Sequence, residues 1–227
     1  MKFILSTLLV FAIQFSFAQT KTIALTELQA SSGIFFAAEM DQSASTIEMT
    51  MQGPDDKWFG IGFGVTMADS DPLIYTDGKL GAMHTLDVWD YNISAQNAAG
   101  VSNDVQQDWT IISNTTGGGS RTIVASRSLD TGDGEDNALT FASTTIDLVW
   151  AQANTADFTL SYHGASNRGS ANLTWVEVDA TPPALTATPF TPADDAVNVS
   201  LTTNLTVNFD ESIQFATGTI ELRLALR

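Results

Sequence analysis

Residues 58–64, Trp-Phe-Gly-Ile-Gly-Phe-Gly, constrain the fold more than any other stretch of this chain. Side chains alternate across a β-strand, so Phe59, Ile61 and Phe63 form one apolar face. Gly60, Gly62 and Gly64 leave the other face, beside Trp58, nearly bare. Glycine weakens a strand through backbone entropy and lost packing, so three on one face imply that something flat or bulky approaches the backbone there. Met67 follows just past the strand end. A second reading stays open at this stage: the glycines mark a bulge or tight sheet packing, and Met67 fills a gap in the core.

The rest of the chain repeats the strand signal. From Gln19 onward, short alternating runs are separated by turn residues, the pattern of an all-β antiparallel sandwich. Ile47, Met49 and Met51 alternate with Glu48 and Thr50, and Gly53-Pro54-Asp55-Asp56 turns the chain into the Trp58 strand. Further strands are expected at Leu73–Tyr75, around Leu86–Trp89, at Trp109–Ile111, Arg121–Arg127, Ile146–Ala151, Phe158–His163 and Leu173–Val178. Alternation within Phe158–His163 sets Phe158, Leu160 and Tyr162 on one side and His163 on the polar side with Thr159 and Ser161. A loop of small residues with one cation, Arg168, follows. Spacing alone leaves His163 open between a surface hydrogen-bonding residue and a metal ligand.

Composition bounds the setting. The 227 residues suffice for one large domain plus a smaller module. Residues 1–18 read as a secretory signal: Lys2 supplies the positive start, an apolar run extends from Phe3, and Ser16-Phe17-Ala18 offers a cleavage site. The expected destination is secreted, periplasmic or cell-surface, with no transmembrane segment in the mature chain. The absence of cysteine excludes disulfides, iron–sulfur clusters and thioether-linked haem. A net charge of −17 with only 9 Lys plus Arg excludes nucleic acid, whose phosphates demand a basic surface. The main domain is expected over residues 22–178, followed by a linker at 179–184 with paired prolines. Residues 185–227 amount to about half of an immunoglobulin-like sandwich, which takes roughly 100 residues.

Several motifs occur in a consistent order: WFGIGFG with Met67 and Asp71, Gln107-Asp108-Trp109, Ser126 to Asp133, Val149-Trp150-Ala151, and Tyr162-His163-Gly164. Together they resemble the DOMON family over about residues 22–178. The family is a β-sandwich related to the cytochrome domain of cellobiose dehydrogenase, and its branches bind haem b or are proposed to bind sugars. In the haem branch one axial ligand is a methionine shortly after the Gly-rich strand and the other a histidine late in the domain. The resemblance therefore implies Met67 and His163 as axial ligands of a non-covalent haem b, with Trp58, Gly60, Gly62 and Gly64 against the porphyrin. Arg168 is a candidate partner for a propionate. The segment from Thr181-Pro182-Pro183 onward resembles the first half of a bacterial immunoglobulin-like module.

The expected function is single-electron transfer to a redox partner protein, without catalysis by the domain itself. The alternative is a carbohydrate-binding or adhesive module in which Trp58, Trp89 and Trp109 stack on cell-surface glycans. Met83-His84 is disfavoured as a metal pair, because adjacent residues on a strand point apart. Asp130, Asp133, Glu135 and Asp136 invite a calcium reading, but their spacing does not match the loop of a helix-loop-helix hand and a structural turn is favoured.

Overall fold

A computed structural model describes residues 19–178, 183–193, 196, 200, 202–204 and 206–210. The expected signal segment, 1–18, and residues 179–182 of the expected linker lie outside them. The chain forms two compact units, Met1–Ala180 and Thr181–Arg227.

The strands of the first unit are β1 (Thr20–Glu27), β2 (Phe35–Asp41), β3 (Thr46–Pro54), β4 (Phe59–Phe63), β5 (Asp71–Lys79), β6 (Ala82–Ile93), β7 (Val101–Asn103), β8 (Thr110–Gly117), β9 (Ser120–Ser128), β10 (Thr145–Gln152), β11 (Arg168–Thr174) and β12 (Val176–Val178). They make two six-stranded antiparallel sheets, ordered β12-β1-β2-β3-β9-β8 and β11-β10-β4-β5-β6-β7. The fold is an antiparallel β-sandwich, and no α-helix occurs among the described residues. Among the described residues no helix is long and apolar enough to cross a membrane.

The alternation read from the sequence fills the space between the sheets. Ile47, Met49 and Met51 of β3 and Phe59, Ile61 and Phe63 of β4 are all essentially inaccessible and share one core with Leu73, Ile123 and Leu148. Gly60 and Gly62 lie on the opposite face of β4, where β5 presses close. A Cβ on Gly60 would stand 2.7 Å from Ile74 Cγ1, and one on Gly62 would stand 2.9 Å from Pro72 Cα. Bareness at these two positions therefore admits the neighbouring strand.

Two expected strands are corrected. Phe158–His163 is a loop that touches the sheet through a single parallel bridge, Leu160 to Lys79. The Asp157 carboxylate accepts from the Thr159 amide, a local bond that competes with sheet pairing. The Asp77 and Leu160 amides then join this segment to the end of β5, through the Phe158 and Gly78 carbonyls, and Thr76 Oγ1 donates to the Phe158 carbonyl at 2.8 Å. Leu173–Val178 is likewise not one strand. It breaks at Trp175, whose buried indole and amide bond to the Thr144 carbonyl mark the passage from β11 in one sheet to β12 in the other.

A buried ion pair joins the sheets. Arg127 of β9 meets Asp71 of β5 at 2.9 Å and Asp136 at 2.8 Å, with neither side chain of the Arg127–Asp71 pair accessible to solvent. Burial pushes the Asp71 carboxyl up, opposed by the Arg127 charge.

The second unit is described through β13 (Leu185–Thr191) and β14 (Thr206–Phe209), which pair antiparallel. Asp210 closes this hairpin by accepting from the Ala184 amide at 2.9 Å.

Arg127→Met strands two buried carboxylates and is expected to cost about 3–5 kcal/mol of stability, read as a lower urea midpoint. Adding Asp71→Asn to that variant should recover part of the loss; an unshifted midpoint in the single variant would show that the pair contributes little.

Candidate functional site

The outer face of the second sheet carries a cavity of about 230 Å³ with predominantly apolar walls. Pro72 and Ile74 of β5 and Val149 and Ala151 of β10 form its floor, and three chain segments build its rim.

Met67 comes from the β4–β5 loop. That loop is held on both sides, since the Asp69 amide donates to the Ile93 carbonyl at 2.7 Å and Ser70 Oγ donates to the Met67 carbonyl at 3.1 Å. Asp69 adopts a positive φ of 63°, which turns the chain back into β5. His163 comes from the loop that replaces the expected strand. Because that loop does not alternate, Leu160, Ser161, Tyr162 and His163 all contribute to the wall. Gly164, at φ 76°, bends the backbone so that its own carbonyl reaches His163 Nδ1 at 2.6 Å. Facing a carbonyl acceptor, Nδ1 carries the proton, and in the neutral ring Nε2 carries the lone pair. Burial, with a contribution from the Arg168 charge, holds the imidazole below its ordinary pKa. The neutral form needed for a metal ligand is thus favoured.

Trp58 is 2 % exposed and packs with Ile74, Tyr91 and Ala153 beside the cavity. Its backbone is fixed by the Asp157 carbonyl and the Ala153 amide, both at 2.9 Å. The buried indole N–H of Trp58, on the cavity wall, has no hydrogen-bond acceptor among the described residues. Gly60 and Arg168 also line the cavity, whereas Gly62 and Gly64 do not. Gly62 is covered by Pro72, and Gly64 stands against Asp69 and Ser70.

The sequence pattern did not single out the 93–101 segment, which supplies Ile93, Gln96 and Val101 to the rim. Its polar composition reads as a plain loop. Lys79 also lines the cavity and donates to the Val101 carbonyl.

The remaining candidates sit elsewhere. His84 hydrogen-bonds Asn103 Oδ1 at 2.7 Å and lies against Trp89 with ring centroids 4.8 Å apart. Of the three tryptophans considered for sugar stacking, Trp58 is under the cavity wall and Trp109 is in the core. They offer no common exposed platform. Asp130 and Asp133 accept from the Gly132 and Glu135 amides, each at 2.9 Å, in a turn.

The two-sheet sandwich thus brings Met67 and His163 to the wall of one apolar cavity. Comparison with family models matches the DOMON domain to residues 31–153, more than half of the chain, and a bacterial Ig-like domain to residues 179–226. The chain belongs to the DOMON family, with an Ig-like segment after it. Met67, Trp58 and Gly60 fall within the matched span; His163 and Arg168 fall beyond it. Among solved structures, the cytochrome b domain of pyranose dehydrogenase from Coprinopsis cinerea aligns with a TM-score of 0.46 at 16% identity, covering 64% of this chain and 80% of that one. A search of curated proteins gave no match.

The tautomer and pKa direction can be measured. In the NMR titration of the apoprotein, the His163 ring is expected to titrate below its ordinary value, with the proton of the neutral form on Nδ1. With the folded pKa below the unfolded one, the stability linked to this ring is present above about pH 6.5 and lost as pH falls through that value toward the folded pKa. His163→Gln is the informative comparison: it should flatten that part of the stability profile.

Proposed function

We propose that this domain binds haem b without a covalent link, through Met67 and His163, and serves in single-electron transfer as an exported protein. The observation that carries the reading is that Met67 and His163, on loops far apart in sequence, line the same apolar cavity. The donor set fits the group: a neutral imidazole with Nε2 available and a soft thioether make a low-spin pair whose thioether favours ferrous iron. The Trp58 N–H, without an acceptor among the described residues, fits a wall that a ligand completes. Haem b would supply a one-electron couple. The chain's own residues would set its properties.

Each residue has a separate task in this reading. The Gly164 carbonyl orients the His163 ring and fixes its tautomer, as a partner behind a metal ligand does. Trp58 and Ile74 exclude water from the inner wall, which keeps the reorganisation of solvent small. Arg168, exposed at the rim, is placed to pair with a carboxylate of the ligand. Were Met67 and His163 both to hold the iron, the protein itself would fill the positions a substrate needs, and the domain would act as a carrier for a redox partner protein and not as an enzyme.

Reconstitution with haemin tests this. The wild-type protein should give a six-coordinate low-spin spectrum with sharp α and β bands on reduction. His163→Ala should lose most haem retention. Met67→Ala should retain haem more often, become high-spin and fall in reduction potential, while His84→Ala should match the wild type. If the wild-type protein takes up no haemin, or if His84→Ala alone loses it, the assignment fails.

A further inference from the structure

We infer that a second site, built from Asp90, Asp104 and Asp136, binds a hard divalent cation, with Ca²⁺ the best fit. Asp90 lies on β6, Asp104 just past β7, and Asp136 in the segment between β9 and β10. Each offers one carboxylate oxygen, and these oxygens lie within 4.8 Å of one another. Oxygen ligands sit about 2.3–2.6 Å from Ca²⁺, so two of them across an ion stand about 4.8 Å apart. The cluster has the span of a single coordination sphere.

The second observation is independent of the clustering. Asp90 is 1 % exposed, and neither of its carboxylate oxygens has a hydrogen-bond donor among the described residues. Asp104 Oδ2 and Asp136 Oδ1 are buried and unpartnered as well. Buried carboxylate oxygens ordinarily find donors, since an unpaired charge away from water is costly. Asp104 Oδ1 accepts from the Gln106 amide at 2.9 Å, so that carboxylate is oriented with its other oxygen left over.

Charge points the same way. Arg127 is the cation in contact with this group, at 2.8 Å from Asp136, and it is shared with Asp71. One guanidinium faces four carboxylates, with Asp108, Asp133 and Glu135 adding to the negative field around Asp104 and Asp136. A divalent ion would offset most of this excess. The donors are all oxygen, which selects Ca²⁺ or Mg²⁺ over the softer metals, and a mixed set from three chain segments suits the adaptable coordination of Ca²⁺ better than the strict octahedron of Mg²⁺.

The frame around the cluster is already tied. Gln107 accepts from the Asp90 amide at 2.9 Å and donates to the Asp90 and Asp104 carbonyls at 3.1 and 3.0 Å. One amide side chain thereby locks two of the three ligand segments together. Asn92 donates to the Glu135 carbonyl at 3.1 Å and brings in the third.

The test uses the full chain, stripped with a chelator and titrated with CaCl₂. The thermal unfolding midpoint should rise with the logarithm of CaCl₂ concentration, and equilibrium dialysis with ⁴⁵Ca should find one ion per chain. Asp90→Asn and Asp104→Asn should each fold, unfold at or above the wild-type midpoint without metal because repulsion is relieved, and lose the calcium response. Asp130→Asn, in the neighbouring turn, should keep it. An unmoved wild-type midpoint with no bound ⁴⁵Ca, or an equal response in Asp90→Asn and Asp104→Asn, would overturn the proposal.

Discussion

The buried guanidinium of Arg127 is the constraint on which the rest of the sandwich depends. It stands between the sheets with Phe63 and Trp109 at 5.2 and 5.1 Å from their ring centres, and it holds Asp71 of the opposite sheet. Once a charge is inside, its partner cannot leave without a large cost. Asp71 is therefore fixed, and through it the start of β5. The same carboxylate accepts from the Asn137 amide, and the Asn137 side chain bonds the carbonyls of Phe63 and Asp69 at 2.9 and 3.1 Å. Both ends of the loop that carries Met67 are thus clamped by one network. A ligand on a loop is only as well placed as the loop's ends, and here those ends are set from inside the core.

The two faces of the second sheet are chemically separate. Toward the first sheet, β5 and β6 present Asp71, Leu73, Val88 and Asp90, a mostly apolar core with its charges gathered at one end. Away from it, the same strands present Ile74 and Tyr91 toward the cavity side. Alternation alone produces this division, so neighbouring residues on one strand serve different sites. Trp89 and Tyr91 flank Asp90 in sequence yet belong to the other face. That is why an apolar cavity and an anionic cluster can coexist a single strand apart.

Much of the fold was legible because it rests on local periodicity. Ile47, Met49 and Met51, and Phe59, Ile61 and Phe63, each name a buried face without any knowledge of their partners. Met67 and His163 were legible only through the resemblance to a family, since spacing left both open. The loop at 158–163 was misread because its apolar residues happen to alternate, while the Asp157 turn that decides its conformation is a single polar residue. Trp175 was misread for the converse reason: a continuous strand signal says nothing of which sheet each half joins. The grouping of Asp90, Asp104 and Asp136 had no sequence signal at all, because three separated segments meet only through tertiary structure, and the visible acidic run at 130–136 contributes one member.

The misread loop also bears on what the site can do. A regular strand at 158–163 would have placed Tyr162 and His163 on opposite faces, with one of them turned from the sheet. The irregular path brings consecutive side chains to one wall, and the His163 ring lies 4.9 Å from that of Tyr162. Its position rests on few backbone bonds to β5, on the Gly164 bend and on the side-chain pair of Asn154 and Asn167 at 2.9 Å. Met67 is held through the core, whereas His163 is held by local contacts near the surface. The two side chains are therefore set by different means, Met67 by a loop whose ends are clamped through Asn137 and His163 by a loop bonded to the end of β5 and bent at Gly164.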